Sequence, residues 1–250
     1  MRKYLMLTMA IAALVAVSVA GIATGANKPV VVEAGNLKFT FNGGFSPSKL
    51  PKNKLAPISL NASGKIETKD GTHPPALTEA IVETDKNGAI NVKGIKVCKS
   101  GQLQSRDTKA AEKACKGSLI GTGQTTVEVQ FPEQKPIDVN SKLLVMNGGF
   151  SGGTTTLYIH AYFSAPVTGA IVTTLKIKKV KNGRYGLKTV ATIPKIAGGS
   201  GSVKTFNLTI NKKGVLLAKC PDGKLQAKAT AVFSDGTKAT GGIIRTCTGT

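Results

Sequence analysis

The stretch TTTLYIHAYF, Thr154–Phe163, decides the fold. Leu157, Ile159, Ala161 and Phe163 fall on alternate positions and share one face of an extended segment, while Tyr158, His160 and Tyr162 share the other. Its β-branched and aromatic residues suit a pleated strand. Just before it stands Gly149-Phe150-Ser151-Gly152-Gly153, which matches the G-x-S-x-G pattern of a hydrolase nucleophile elbow. An elbow needs a helix after its serine, whereas Ser151 is followed by the strand just read. His160 also precedes every downstream acid, so the order of serine, acid and histidine is not met. The loop is therefore read as a Gly-rich hairpin, and no catalytic residue is assigned.

The same alternation extends through the chain. It is clean in Leu37-Lys-Phe-Thr-Phe41, recurs at Ile58–Leu60 and Ile66–Thr68, and is broken at short intervals by Gly, Pro and Asn. This predicts an all-β protein. Asn87-Gly88 and Asn182-Gly183 are expected to form hairpin turns, because both residue types tolerate positive φ. The first would pair Ile81–Thr84 with Ile90–Val92, the second Leu175–Lys178 with Leu187–Val190, and a third hairpin is expected around Gly198–Gly201. Gly121-Thr-Gly123 lacks the lysine of a phosphate loop and reads as a turn. Ser105–Cys115 is rich in helix formers behind a Ser or Asp cap and predicts the one short helix.

Asn-Gly-Gly-Phe occurs twice, at Asn42–Phe45 and Asn147–Phe150, and Phe131-Pro132-Glu-Gln-Lys-Pro136 offers a boundary between halves. The expected architecture is two immunoglobulin-like or related β-sandwiches in tandem, over 27–135 and 136–250.

Residues 1–26 read as a signal peptide, with Met1-Arg2-Lys3 as the positive region, an apolar run from Leu5 to Ile22, and Thr24-Gly25-Ala26 as the cleavage site. An uncleaved anchor is the alternative. The expected location is extracellular or at the cell envelope, with no integral membrane contact once the segment is removed. The four cysteines, Cys98, Cys115, Cys220 and Cys247, fit that oxidising compartment as two disulfides, and sequential pairing closes a modest loop in each half. No Cys-x-x-Cys pair or neighbouring histidine suggests zinc, and neither metal nor cofactor is expected.

Lys96-Val-Cys98, Cys115 after the short helix, Gly121-Thr-Gly123, His160-Ala-Tyr162 and the run from Ile193 to Ser202 resemble a group of exported, disulfide-containing all-β bacterial proteins. The resemblance covers most of the mature chain and brings no activity or functional residue with it.

Charge narrows the function. Across 250 residues, 34 Lys and Arg face 13 Asp and Glu, a net charge of +21 that falls to +19 if Arg2 and Lys3 are removed. So few acids leave little material for carboxylate catalysis or calcium cages, and His73 reads as a solvated loop residue. Lys176, Lys178, Lys179, Lys181, Arg184 and Lys188 crowd one predicted hairpin and form a candidate polyanion-binding ridge. Export makes intracellular nucleic acid an unsuitable partner and leaves wall phosphopolymers, acidic glycans, anionic lipid headgroups or extracellular DNA. Tyr158, His160 and Tyr162 form a second candidate ligand face. The sequence thus predicts a non-enzymatic binding or structural protein of the envelope, with a secreted polymer-acting hydrolase or a protein-interaction module as alternatives.

Overall fold

A computed structural model describes residues 21–24 and 28–250. The expected signal peptide therefore lies outside the described residues except for β1 (Gly21–Thr24), a strand that runs parallel to β16 (Lys238–Thr246). The chain continues through β2 (Val30–Ala34), β3 (Leu37–Ser46), β4 (Lys49–Leu50), β5 (Ala56–Thr68), β6 (Leu77–Asp85) and β7 (Gly88–Ile90) to the helix α1 (Thr108–Ala114). After it come β8 (Leu119–Val129), β9 (Ile137–Ser151), β10 (Thr154–Phe163), β11 (Gly169–Asn182), β12 (Tyr185–Thr192), β13 (Gly201–Ile210), β14 (Leu216–Ala218) and β15 (Lys224–Phe233). The short β17 (Thr248–Gly249) follows β16. The fold is all-β with one short helix, as the alternation predicts.

The long strands form one sheet in the order β2-β3-β5-β13-β8-β9-β10-β11-β12-β6-β15-β16, antiparallel throughout, and β16 comes back beside β2 so that the sheet nearly closes into a barrel. Arg245 bridges the seam. Its side chain is buried, and the guanidinium donates to the Gly43 carbonyl at 2.7 Å, the Lys28 carbonyl at 3.0 Å and the Asn42 side chain, joining β16 to β3 and the segment before β2, with which it shares no ladder. Phe41 and Val32 lean over Gly241 so closely that a Cβ there would lie 2.9 Å from each.

Strand polarity sets two ends. The β9–β10 and β11–β12 turns, the β7/β14 pair and both disulfides gather at one end, while the β2–β3, β8–β9, β10–β11 and β15–β16 turns lie at the other. Val32, Phe39, Phe41, Ile66 and Phe233 fill one part of the interior, and Ile120, Val145, Leu157, Ile177 and Val215 another. A third cluster lies outside the barrel wall, where Leu144 and Met146 of β9 pack under α1 with Cys98, Leu103, Ala111 and Cys115. The helix starts where expected, with Asp107 accepting from the Ala110 N–H at 2.8 Å.

The disulfides are Cys98–Cys115 and Cys220–Cys247, with Cα atoms 5.3 and 6.1 Å apart. Asn182-Gly183 makes the expected hairpin between β11 and β12. Asn87-Gly88 does not: both edges of β6 are taken by β12 and β15, so β7 leaves the turn and pairs with β14. At Gly198–Gly201 the chain makes only a tight 3-10 turn with an Ile196–Gly201 bridge, because β12 and β13 pair elsewhere. Gly121 and Gly123 lie inside β8 rather than in a turn, and a Cβ at either would stand 2.3 and 2.0 Å from the Thr209 and Asn207 carbonyl oxygens. The boundary expected at 135/136 falls in the connection between β8 and β9, neighbouring strands of one continuous sheet.

Candidate functional site: a lysine-rich barrel end

The register of β11 and β12 sorts the six predicted ridge residues. Lys176, Lys178 and Lys188 share the outer face, opposite to Leu175 and Ile177, and Lys178 stands directly across from Lys188. Like charges so placed repel. Lys179 alternates to the other face but is exposed near the barrel end, and Lys181 is exposed beside the turn. Arg184 departs from the ridge. Its Nε donates to Asp85 at 2.6 Å, Nη1 and Nη2 bind Asp222, and Nη2 also reaches the Lys224 carbonyl at 2.8 Å. Asp222 first and Asp85 second hold the guanidinium firmly charged, and the arginine in turn pulls the Asp222 carboxyl below its ordinary range. Arg184 is a structural node, not an open cation.

The nearest acid on the outer face is Glu83, beside Lys188. It is engaged by Lys228 at 2.5 Å and by the Asn182 amide at 2.8 Å, and Lys228 in particular lowers its pKa. Farther round the same end, Lys86, Lys93, Lys96, Lys99, Lys212 and Lys213 are all exposed. The strand-end turns and loops there contribute Asp85 and Asp222, which both bind Arg184, and Asp107, which caps α1. Most other carboxylates lie toward the opposite end or on α1, among them Asp70, Glu128, Glu133, Asp138 and Asp235. The molecule is therefore polarised along the barrel, and such a field concentrates anions at one end.

The second predicted face is not an open platform. His160 is fully buried under the segment leading into α1, where Nε2 donates to the Arg106 carbonyl at 2.9 Å and Nδ1 has no hydrogen-bond partner. Burial pushes its pKa down. Tyr158 packs against the cluster under α1, so helix and disulfide cover the ring row that a ligand would have needed. Tyr162 remains half-buried farther along β10.

Sequence reading missed one constellation. His73, expected to be solvated, places Nδ1 2.9 Å from Glu128 Oε1 and Nε2 3.1 Å from Ser202 Oγ, an arrangement of serine, histidine and acid. Lys204 also binds Glu128 and Asp138, which raises its pKa, Asp138 contributing most. The Ser202 hydroxyl, however, donates to the Pro74 carbonyl at 2.6 Å and is 1% exposed. A nucleophile must reach substrate and give its proton to the base. This one does neither, and the trio works as a clasp that holds the 70–76 loop against β8 and β13.

Ser151, the rival nucleophile, is exposed and leads through Gly152 and Gly153, both at positive φ, directly into β10. An apolar cleft of about 230 Å³ at the opposite end, lined by Val129, Phe163, Val167 and Ile196, is smaller than the roughly 300–1,000 Å³ of ordinary ligand pockets. Among the described residues no group of three or more His, Cys, Asp or Glu could hold a metal ion, and no helix is long and apolar enough to cross a membrane. The chain matches no family model, no curated protein and no solved structure.

Proposed function

We propose that the chain is an exported, non-enzymatic binding protein that holds an anionic polymer of the cell envelope on the outer flank of its β11–β12 hairpin. The observation that carries this reading is the opposed pair Lys178 and Lys188, with Lys176 beside it, on a face whose one close acid already serves Lys228. Two lysines held across a ladder repel each other unless an anion lies between them. A polymer of phosphates or carboxylates supplies such anions at short repeat, and the wider field of the lysine-rich end draws it in. Two disulfides support an oxidising compartment, and with it export. We also read the architecture as one barrel-like unit in preference to two immunoglobulin-like sandwiches, because β5 and β6, from the first half of the chain, each lie between or beside strands of the second.

The test is retention on immobilised polyphosphate, and on purified walls intact or stripped of anionic polymer, across a salt series. Polyanion binding weakens with salt in proportion to the contacts made, with a log–log slope of about −0.7 per phosphate on a single strand. Replacing Lys176, Lys178 and Lys188 with Gln should flatten the slope by about 2. An unchanged slope, or retention indifferent to salt, refutes the reading.

A further inference from the structure

The β9–β10 turn carries an oddity that polymer binding does not use. Phe150 is 67% exposed and Val97 57%, the two most exposed large apolar side chains among the described residues. Both border the same turn, since a Cβ on Gly149, the residue before Phe150, would stand 3.4 Å from each Val97 methyl group. Both are held rigidly. Asn147, completely buried, donates from its amide to the Ile95 and Lys96 carbonyls at 3.1 and 3.2 Å and accepts from the Gly149 N–H at 2.9 Å. The Cys98 N–H bonds to the Asn147 carbonyl at 2.8 Å, and the Cys98–Cys115 disulfide fixes the loop from behind. Such a tip loses little conformational freedom when it meets a partner.

The surroundings state the partner's chemistry. Lys96 and Lys99 flank Val97, Lys116 follows the disulfide, and Lys179 and Lys181 end the strand next to β10; all five are exposed. No acid occurs between Lys86 and Lys99 or between Gly148 and Lys181. Apolar side chains projecting from a ring of lysines match a surface that is apolar beneath and anionic on top, which describes an acidic lipid bilayer. A polyanion in solution offers the charge but nothing for Phe150 to enter.

We infer that this end of the barrel docks peripherally on an anionic membrane surface, with Phe150 and Val97 inserted among the headgroups and the lysines around them neutralising lipid charge. The inference rests on the reading of the basic surface given above for the sign of the partner, but it uses a different site, the tip instead of the flank.

The chain contains no tryptophan, so Phe150→Trp places its one tryptophan at the tip, and excitation at the red edge, where tyrosine does not absorb, reports on that site alone. With the variant's melting temperature shown to equal that of the parent, its emission is followed against vesicles of phosphatidylcholine, with or without three parts in ten of phosphatidylglycerol. The expected result is a blue shift and quenching by bromolipid on the acidic vesicles, reversed in high salt and absent on neutral ones. Val97→Ser in this background should weaken vesicle binding about tenfold. Emission unmoved by acidic vesicles, or moved equally by neutral ones, overturns the inference. Retention of the same variant on polyphosphate separates the two readings. Retention without an emission response leaves the flank reading standing alone, a response without retention leaves the membrane inference alone, and loss of both refutes both.

Discussion

Asp85 provides a sharp test of how the lysine-rich end is held together. The carboxylate is 3% exposed, and it accepts from the Asn87 N–H at 2.9 Å, the Gln226 N–H at 3.1 Å and Arg184 Nε at 2.6 Å. One side chain thus fixes the β6–β7 turn, β15 and the β11–β12 turn. Asp85→Ala strips two main-chain donors and half of an arginine's anchorage at once. Breaking a buried ion pair typically costs about 3–5 kcal/mol. Arg184 keeps Asp222 and is 24% exposed on its side chain, which pulls the value to the low end, and water reaching the freed N–H groups limits the further penalty. The expected loss is about 3 kcal/mol. Asp222→Ala removes a partner that is 41% exposed and should cost less than about 1 kcal/mol, as exposed ion pairs do. Urea unfolding at neutral pH with both disulfides intact reads the difference as a shift in midpoint at constant slope. If Asp222→Ala cost as much as Asp85→Ala, or if Asp85→Ala cost under about 1 kcal/mol, the node would not be what organises this end.

Further predictions concern charge, pH and packing. Lys178→Gln removes a like-charge cross-strand contact and should raise stability by about 0.5 kcal/mol while weakening polyphosphate retention; a variant that loses stability argues against the repulsion. Burial holds the His160 imidazole below its ordinary value of 6.5, so the folded state resists a proton that the unfolded chain accepts. That contribution is complete above about pH 6.5 and is lost as the pH falls beneath it. The melting temperature should therefore drop more steeply from pH 7.5 to 5.5 in the parent than in His160→Gln, and parallel slopes would count against it. Gly123→Ala would press a Cβ onto the Asn207 carbonyl, a backbone atom that cannot rotate away, and should cost about 3 kcal/mol or prevent folding. Gly101→Ala, with nothing within 4 Å, should cost under about 0.5 kcal/mol by the same urea titration.

What was legible in the sequence was local. The period-two pattern of Leu37–Phe41 and Thr154–Phe163 shows through because a strand's side chains alternate whatever it pairs with. The α1 cap and the Asn182-Gly183 turn are set by residues a few positions apart. Asn87-Gly88 carries the same turn signal, yet its outcome depends on strands a hundred residues later that claim both sides of β6. His73 looked idle because its partners, Glu128 and Ser202, lie 55 and 129 positions away. The two Asn-Gly-Gly-Phe words diverge for a similar reason: Asn42 and Phe45 lie within β3, where Asn42 binds Arg245 and Phe45 packs near the second disulfide, while Asn147 is a buried clasp and Phe150 a bare tip. The lysine-rich end is dispersed across six or more loops and is visible as one surface only after the strands assign each loop to an end.

The place of β6 bears on how the chain comes into being. Its two neighbours in the sheet begin at residues 185 and 224, so while the polypeptide is made or moved in order from its first residue, Leu77–Asp85 waits with both edges bare until β12 has emerged and with one edge bare until β15, nearly the last strand, follows. Seam closure by Arg245 comes later still. A chain halted before residue 224 would present unpaired strand edges to its neighbours, and premature termination should give aggregates, not a smaller working protein.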